Sequence, residues 1–209
     1  MNLGDFSRGG KSRGIEAVNA LDHDMASKQK MIPFGLLNLT DDELHVAYGH
    51  SSKTSDFICD AIEQWWASVK ARYAAINKLV IYADNGPESS SHRTQFLFRL
   101  VAFAKATGLK VHLVYYPPYH SKYNPIERCW AFLEKHWNGA LLSTAHTVIE
   151  WTKTMTWRAT QPLVHVLCND YAKGVRPTPS EMDVMSRFIK RHQELPKWDV
   201  LITPDVGCY

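Results

Sequence analysis

The stretch LVIYADNGP, residues 79–87, decides the fold class of this chain. Its first five residues are apolar, β-branched or aromatic, and the Asn-Gly-Pro triplet that follows Asp84 is typical of a turn. A run this short between turn signals predicts a central strand that ends at Asp84. Because open α/β sheets carry their chemistry at the carboxyl edge of the strands, Asp84 stands where a functional side chain is expected.

A second carboxylate follows on a helix. Residues 117–128 read PPYHSKYNPIER, and their Pro-Pro turn comes directly after a predicted strand, Lys110 to Tyr116. Asn124 is expected to cap a helix that begins at Pro125, because Asn is favoured at the N-cap and Pro at the first helical position. Glu127 then falls in the first helical turn. The two carboxylates are 43 positions apart (127 − 84), which leaves room for one helix and one strand.

Composition limits the class of protein. With 209 residues and 45% hydrophobic content, the chain can bury one core and is most simply one domain. A net charge of +3 permits nucleic-acid binding without requiring it. The four cysteines form no C-x-x-C pair, and neither a signal peptide nor an apolar run of about eighteen residues is present. We therefore expect a reduced, cytoplasmic protein that has no membrane partner.

Hydrophobic patterning predicts strands that alternate with helices after an initial hairpin. The hairpin pairs residues 34–39 with residues 44–48 across a Thr-Asp-Asp-Glu turn. A helix capped by Thr54 or Ser55 carries one apolar stripe, and another runs from about Arg93 to Ala106 before Gly108. The stripe consists of Ile58, Ile62, Trp65 and Val69. We interpret Trp65, Trp66, Trp130 and Trp137 as core residues rather than as platforms for base stacking.

Three segments follow from this pattern. Residues 1–30 are predicted to be an irregular basic N-terminal segment, residues 31–140 an α/β core, and residues 141–209 a helical C-terminal extension of the same domain. The extension is expected to contain helices over residues 144–156 and 180–192, with a further helical stretch between them that reaches Tyr171. The N-terminal segment is expected to touch phosphate groups through Arg8, Lys11 and Arg13.

The order of these elements resembles that of the DDE transposases of bacterial insertion sequences, which belong to the RNase H-like and integrase superfamily. More narrowly, the chain is similar to the ISAzo-thirteen family, whose domain is also called the Rhodopirellula-type DDE transposase domain. A single Asp or Glu is a weak signal, whereas SKYNPIE behind a Pro-Pro turn is a specific one. The segments that carry the resemblance are DFSRGG (5–10), LDHDM (21–25), IPFG (32–35), ADNG (83–86), HSKYNPIER (120–128) and LPKW (195–198).

The resemblance implies an RNase H-like mixed sheet flanked by helices and an enzyme of DNA transposition. It implies that Asp84 and Glu127 bind two Mg²⁺ or Mn²⁺ ions during strand cleavage and strand transfer, with transposon ends and target DNA as partners. A homo-oligomer is expected when the enzyme is active, in a prokaryotic cytoplasm and associated with the nucleoid. Carboxylates suit this chemistry because hard divalent cations prefer oxygen ligands.

One departure from the family concerns its first aspartate. In the family this residue lies on the first strand, just upstream of the segment that matches residues 4–7. Since this sequence begins at Met1, we expect a truncated first strand and no first catalytic Asp in this chain. Either the reading frame is longer, or the transposase is decayed or divided. Three substitutes for the missing ligand are Asp5, Asp22 and Asp24, although a structural or DNA-facing role is favoured for residues 22–24.

The neighbours of Glu127 are candidate DNA contacts. Lys122 and Arg128 flank it and are expected to lie near the scissile phosphate, unless they are ordinary solvated cations. His120 and Asn124 are further candidates, although Asn124 is favoured as a helix cap. The GGKS string at residues 9–12 is not a P-loop. That motif needs a glycine five positions before Gly10, where this sequence has Asp5, and no strand precedes it.

Two other functions stay open at this stage. An RNase H-like nuclease would share the fold, but it need not carry the PPYHSKYNPIE string. A non-catalytic DNA-binding or oligomerisation remnant of a transposase is favoured by the missing aspartate and by the lack of a recognisable helix-turn-helix near the N-terminus. Mg²⁺-dependent cleavage and joining of DNA separate the three hypotheses.

Overall fold

The computed structural model describes residues 30–117, 120, 123–140 and 142–206. Within them the chain is a mixed α/β protein that divides into two compact units. No helix of this part combines the length and the apolar character needed to cross a membrane. The elements are β1 (Ile32–Asn38), β2 (Glu43–Gly49), α1 (Ser55–Val69), β3 (Lys78–Ala83), α2 (Thr94–Thr107), β4 (Lys110–Tyr115), α3 (Pro125–Trp137), α4 (Ala145–Thr154), β5 (Leu163–Val166), α5 (Pro179–Ser186), β6 (Ile189–Arg191) and β7 (Asp199–Ile202).

The first unit comprises described residues 30–52 and Pro125–Asp170. β1 and β2 form the predicted antiparallel hairpin, with Ile32 opposite Gly49, and β5 joins β2 in parallel. Helices α3 and α4 pack their apolar sides on this sheet. The buried core consists of Met31, Leu44, Val46, Tyr48, Cys129, Leu133, Ala140, Leu142, Val148, Met155 and Trp157.

The second unit comprises Lys53–Asn124 and described residues 171–206. Its sheet has the order β3-β4-β7-β6, in which β3 and β4 are parallel and the other pairs antiparallel. α1 begins at the predicted cap, where the Thr54 hydroxyl accepts a hydrogen bond from the Phe57 N–H at 3.3 Å. All four residues of its predicted stripe are buried. α2 ends at Gly108, whose φ of 73° suits a residue without a side chain.

An ion-pair cluster joins α1 to α2. The Arg99 guanidinium lies 2.9 Å from Asp56, 2.6 Å from Asp60 and 3.1 Å from Glu63. Burial lowers the pKa of Arg99, but the hydrogen bonds to the three carboxylates outweigh burial and raise it above its ordinary value. The three acids share one face of α1 through their helical spacing, whereas their partner is on a different helix. Sequence reasoning did not find this contact.

The predicted helical extension over residues 141–209 is wrong for several of its segments. Helix α4 matches its prediction, but residues 163–166 form β5 rather than a helix. The helix expected over residues 180–192 ends at Ser186, and Ile189 pairs with Ile202 in the sheet. These strands are only three or four residues long, so their conformation depends on pairing with distant segments rather than on their own periodicity.

Among the described strands, residues 79–84 do not take the central place in one mixed sheet that was predicted for them. The described strands form two sheets, and β3 stands at the end of its sheet with β4 as its one described neighbour. Val80 and Tyr82 on β3 are 37% and 50% exposed. A continuous apolar run indicates burial on two faces, but it does not specify how many strands pair with it.

Candidate functional site

Asp84 follows β3 at the carboxyl edge of the second unit's sheet. β4 runs parallel to β3, so the segment that contains residues 116–124 leaves the sheet from the same edge. At this edge the Tyr116 N–H donates to the carbonyl of Ala83 at 3.1 Å, and the Tyr82 and Tyr116 rings are 6.2 Å apart. The residue before Asp84 therefore contacts Tyr116, the first residue after β4, within the second unit.

Three side chains from other elements hold the loop that follows Asp84. The Ser55 hydroxyl donates to the carbonyl of Glu88 at 2.7 Å, and the Tyr115 hydroxyl donates to the carbonyl of Ser89 at 2.7 Å. The Arg191 guanidinium donates to the carbonyl of Ser91 at 2.6 Å. These bonds come from α1, β4 and β6, so the second unit as a whole fixes the loop.

The Asp84 carboxylate is exposed, and it makes no hydrogen bond or ion pair with any described residue. A Cβ at Gly86 would lie 3.5 Å from Asp84 Oδ1 and 3.7 Å from Oδ2, so the small backbone of the turn lies beside the carboxylate. The charge of Asp84 also acts on Tyr115: burial raises the pKa of that phenol first, Arg191 lowers it, and Asp84 raises it further. The carboxylate is thus available to a cation.

Glu127 lies in the first turn of α3, where a negative charge is favoured by the helix dipole. The opposite side of the helix is anchored in the first unit's core by Cys129 and Leu133, with Trp130 packed against it. Glu127 is exposed and, like Asp84, makes no hydrogen bond or ion pair within the described part of the chain. A rigid helix therefore presents this carboxylate to solvent.

The two carboxylates fit the ligand chemistry of Mg²⁺ or Mn²⁺ but do not complete a site. Such ions take oxygen ligands and keep several waters. Among the described residues no group of three or more His, Cys, Asp or Glu side chains is arranged to hold a metal ion. Asp84 belongs to the second unit and Glu127 to the first.

The other predicted site residues have different surroundings. Arg128 is exposed on α3, and Asn124 is half-buried just before that helix. His120 is exposed, and its ring stacks on Tyr123 with centroids 5.8 Å apart. The remaining predicted residues lie outside the described part of the chain: Lys122, Arg8, Lys11, Arg13, Asp5, Asp22 and Asp24.

Sequence reasoning missed the residues that support the loop after Asp84. Arg191 is 100 positions from Ser91 in the chain, and no local pattern connects the two. The prediction for the tryptophans is confirmed in part, since Trp65 is buried and Trp130 and Trp137 pack against the core. Exposed aromatic side chains are found instead at positions that the sequence analysis did not select, notably Phe132 and Trp151.

Comparison with known proteins identifies the family. No curated protein and no solved structure matches the chain. A family model described as the Rhodopirellula transposase DDE domain matches residues 1–204, a range that includes Asp84 and Glu127. The match confirms the resemblance that the motifs indicated, and it covers nearly all of the 209 residues. The chain belongs to the Rhodopirellula transposase DDE domain family.

Proposed function

We propose that this chain is the catalytic domain of an insertion-sequence transposase, which cleaves DNA at transposon ends and transfers the strands to target DNA. Transposase DDE domains in general act on DNA by cutting and joining it. The observation that carries the proposal is the family match over residues 1–204, within which Asp84 and Glu127 are both exposed and unpaired in the described part. A homo-oligomer that binds both transposon ends is part of the proposal.

In this proposal, Asp84 and Glu127 hold divalent metal ions. Bound Mg²⁺ or Mn²⁺ activates the attacking oxygen of a phosphodiester reaction and neutralises the leaving oxygen. Asp84 would supply its carboxylate from a loop whose carbonyl groups accept hydrogen bonds from Ser55, Tyr115 and Arg191. Glu127 would supply its carboxylate from the first turn of a packed helix. Such support matters because ligand geometry is set largely by the groups behind the ligands.

The DNA backbone is proposed to contact the cationic and polar residues near Glu127 and at the N-terminus. Phosphate contacts of this kind position the duplex without reading its sequence, and they make binding dependent on salt. Arg128 supports this role because it is exposed beside Glu127 on α3. The other proposed contacts are His120, Lys122, Asn124, Arg8, Lys11 and Arg13.

The test is Mg²⁺-dependent cleavage and strand transfer on duplexes that carry the element's own ends. The chain is assayed as given and together with any residues that its reading frame encodes upstream. Asp84→Asn and Glu127→Gln should abolish both reactions while DNA binding stays close to that of the parent. Glu134→Gln, on the same helix as Glu127, and Asp205→Asn, an exposed acid elsewhere, are the matched controls and should retain activity.

Each rival function predicts a different result. Cleavage without joining would favour a nuclease, and DNA binding without either reaction in both forms of the chain would favour a non-catalytic remnant. Calorimetric titration with Mn²⁺ adds a readout that is independent of catalysis: each site variant should lose heat of binding, and the controls should not. Full activity of Asp84→Asn or Glu127→Gln would contradict the proposal.

A further inference from the structure

A row of ring side chains crosses α3 and α4 on the surface of the first unit. Trp151 on α4 packs edge-on against His136, with ring centroids 5.5 Å apart. Phe132 lies one helical turn before His136 on α3 and packs edge-on against Trp157, again at 5.5 Å. Trp157 is buried, whereas Phe132 is 56% exposed and Trp151 is 37% exposed. We call Trp151, His136, Phe132 and Trp157 the aromatic row.

The aromatic row is anchored at both ends rather than loosely attached. The His136 ring nitrogen Nε2 lies 3.0 Å from the Thr154 hydroxyl, which fixes the ring beside Trp151. At the other end, the Arg158 guanidinium carbon lies 5.8 Å from the centre of the Trp157 ring, and Arg158 also forms an ion pair with Asp42. Exposed rings supported in this way lose little side-chain freedom when a flat partner stacks on them.

The cationic and acidic side chains of α3 lie on different flanks of the helix, and the cations lie on the flank of the aromatic row. At about 100° per residue, Arg128, Phe132 and Lys135 share one flank of the exposed face. Glu127 and Glu134 share the other flank. Arg128 and Lys135 form no ion pair with any described residue. The flank that carries Phe132 is therefore net positive, which complements a polyanion.

We propose that the aromatic row and its cationic flank bind unpaired DNA, with bases stacked on Phe132 and Trp151 and phosphates near Arg128 and Lys135. Exposed rings beside cations form the usual surface for single-stranded nucleic acid, since every base has a face that can stack. In duplex DNA those faces are already covered by neighbouring base pairs. This inference deepens the proposed function, because cutting a transposon end produces strand ends that can fray.

The test compares a thymidine oligonucleotide of about twelve nucleotides with an abasic oligonucleotide of the same length. Binding is followed by fluorescence anisotropy in the absence of divalent metal. Phe132→Leu keeps an apolar side chain but removes the ring, and it should weaken binding to the thymidine oligonucleotide roughly tenfold. Binding to the abasic oligonucleotide should stay unchanged. Phe132→Tyr should restore the affinity, and Leu39→Ala, an exposed apolar residue in the same unit, should have no effect.

A second variant on the other helix keeps the test valid if Phe132→Leu folds poorly. Trp151→Leu on α4 should give the same selective loss, and Trp151→Phe should not. Arg128→Gln and Lys135→Gln should weaken binding to both oligonucleotides. Each should also reduce the slope of log affinity against log salt concentration by about one, the value for one lost phosphate contact. Equal losses on thymidine and abasic DNA for either ring variant would overturn the inference.

Sedimentation of the same variants tests the competing occupant, a second copy of the chain. If Phe132→Leu dissociates an oligomer and leaves thymidine binding unchanged, the aromatic row is a protein interface and the inference is wrong. If both Phe132→Leu and Trp151→Leu keep the parent's affinity for the thymidine oligonucleotide while Asp84→Asn still loses cleavage, this inference is wrong and the proposed function stands. Failure of the parent chain to bind any form of DNA would contradict both this inference and the proposed function.

Discussion

The Cβ atom that Gly35 lacks would lie 2.7 Å from Cζ2 of the Trp130 ring. It would also lie 3.1 Å from the end of the Ile126 side chain. Gly35 is on β1, and the two other residues are on α3, so the strand accepts the helix at this distance because it has no side chain there. Since Glu127 is in the first turn of α3, this contact contributes to the position of the candidate ligand.

Gly35→Ala should therefore destabilise the first unit. A methyl group forced against Trp130 is expected to cost about 1–3 kcal/mol of unfolding free energy, measured by urea denaturation. Gly86→Ala is the matched control, because its added Cβ would meet nothing nearer than 3.5 Å. The double variant Gly35→Ala/Trp130→Leu should lose less than the sum of the two single variants. Strictly additive losses would contradict the steric explanation.

Removing either hydroxyl of the buried Tyr48–Thr152 pair should lower the free energy of unfolding, but by different amounts. The two hydroxyl oxygens are 2.7 Å apart. The Thr152 hydroxyl also donates a hydrogen bond to the carbonyl of Val148 at 2.7 Å. Tyr48→Phe leaves the Thr152 hydroxyl with that carbonyl and should cost about 0.5–1.5 kcal/mol. Thr152→Val leaves the Tyr48 hydroxyl buried and unpaired, at a cost of about 1–3 kcal/mol. Denaturant unfolding measures the free energy lost in each variant. A larger loss in Tyr48→Phe than in Thr152→Val would contradict this explanation.

His165 should make the free energy of unfolding depend on pH. Burial lowers its pKa, its Nε2 atom has no hydrogen-bond partner among the described residues, and its ring stacks 6.0 Å from that of buried His45. The unfolded chain therefore takes up a proton at higher pH than the folded chain does. Stability should be lost as the pH falls through about 6.5, the ordinary pKa of histidine.

Urea unfolding between about pH 7.5 and about pH 5.5 measures this dependence. His165→Gln should flatten the slope of unfolding free energy against pH. His92→Gln, at an exposed position in the second unit, serves as the control and should leave the slope as it is. A His165→Gln protein with the parent's slope would show that another group is responsible.

Tyr115→Phe should loosen the loop that carries Asp84. The substitution removes the hydroxyl that donates to the carbonyl of Ser89 at 2.7 Å but keeps the buried ring. Because groups behind a ligand set its orientation, we expect Mn²⁺ affinity to fall roughly tenfold with a smaller change in unfolding free energy. Tyr48→Phe is the matched control, since it removes a phenol hydroxyl from the other unit. Equal Mn²⁺ affinity in Tyr115→Phe and the parent would argue against a positioning role.

Local pattern was enough to predict the long, periodic elements. The buried stripe of α1, the stop of α2 at Gly108 and the hairpin of β1 and β2 all follow from spacing and turn chemistry within a few residues. The same reasoning placed Asp84 after a strand and Glu127 in a first helical turn, as the structure has them. Their role as metal ligands stays a prediction.

Contacts between distant segments decided the rest. Residues 163–166 and 189–191 have no periodicity of their own and become strands because β2 and β7 offer hydrogen-bonding partners. Arg191 holds the loop near Asp84 only because the sheet brings it back over 100 positions. The exposure of Phe132 likewise depends on which flank of α3 the core covers. Sequence by itself determined the elements that interactions between neighbouring residues stabilise. The tertiary structure decided strand pairing, burial and the support of the candidate site, because these depend on contacts between residues far apart in the chain.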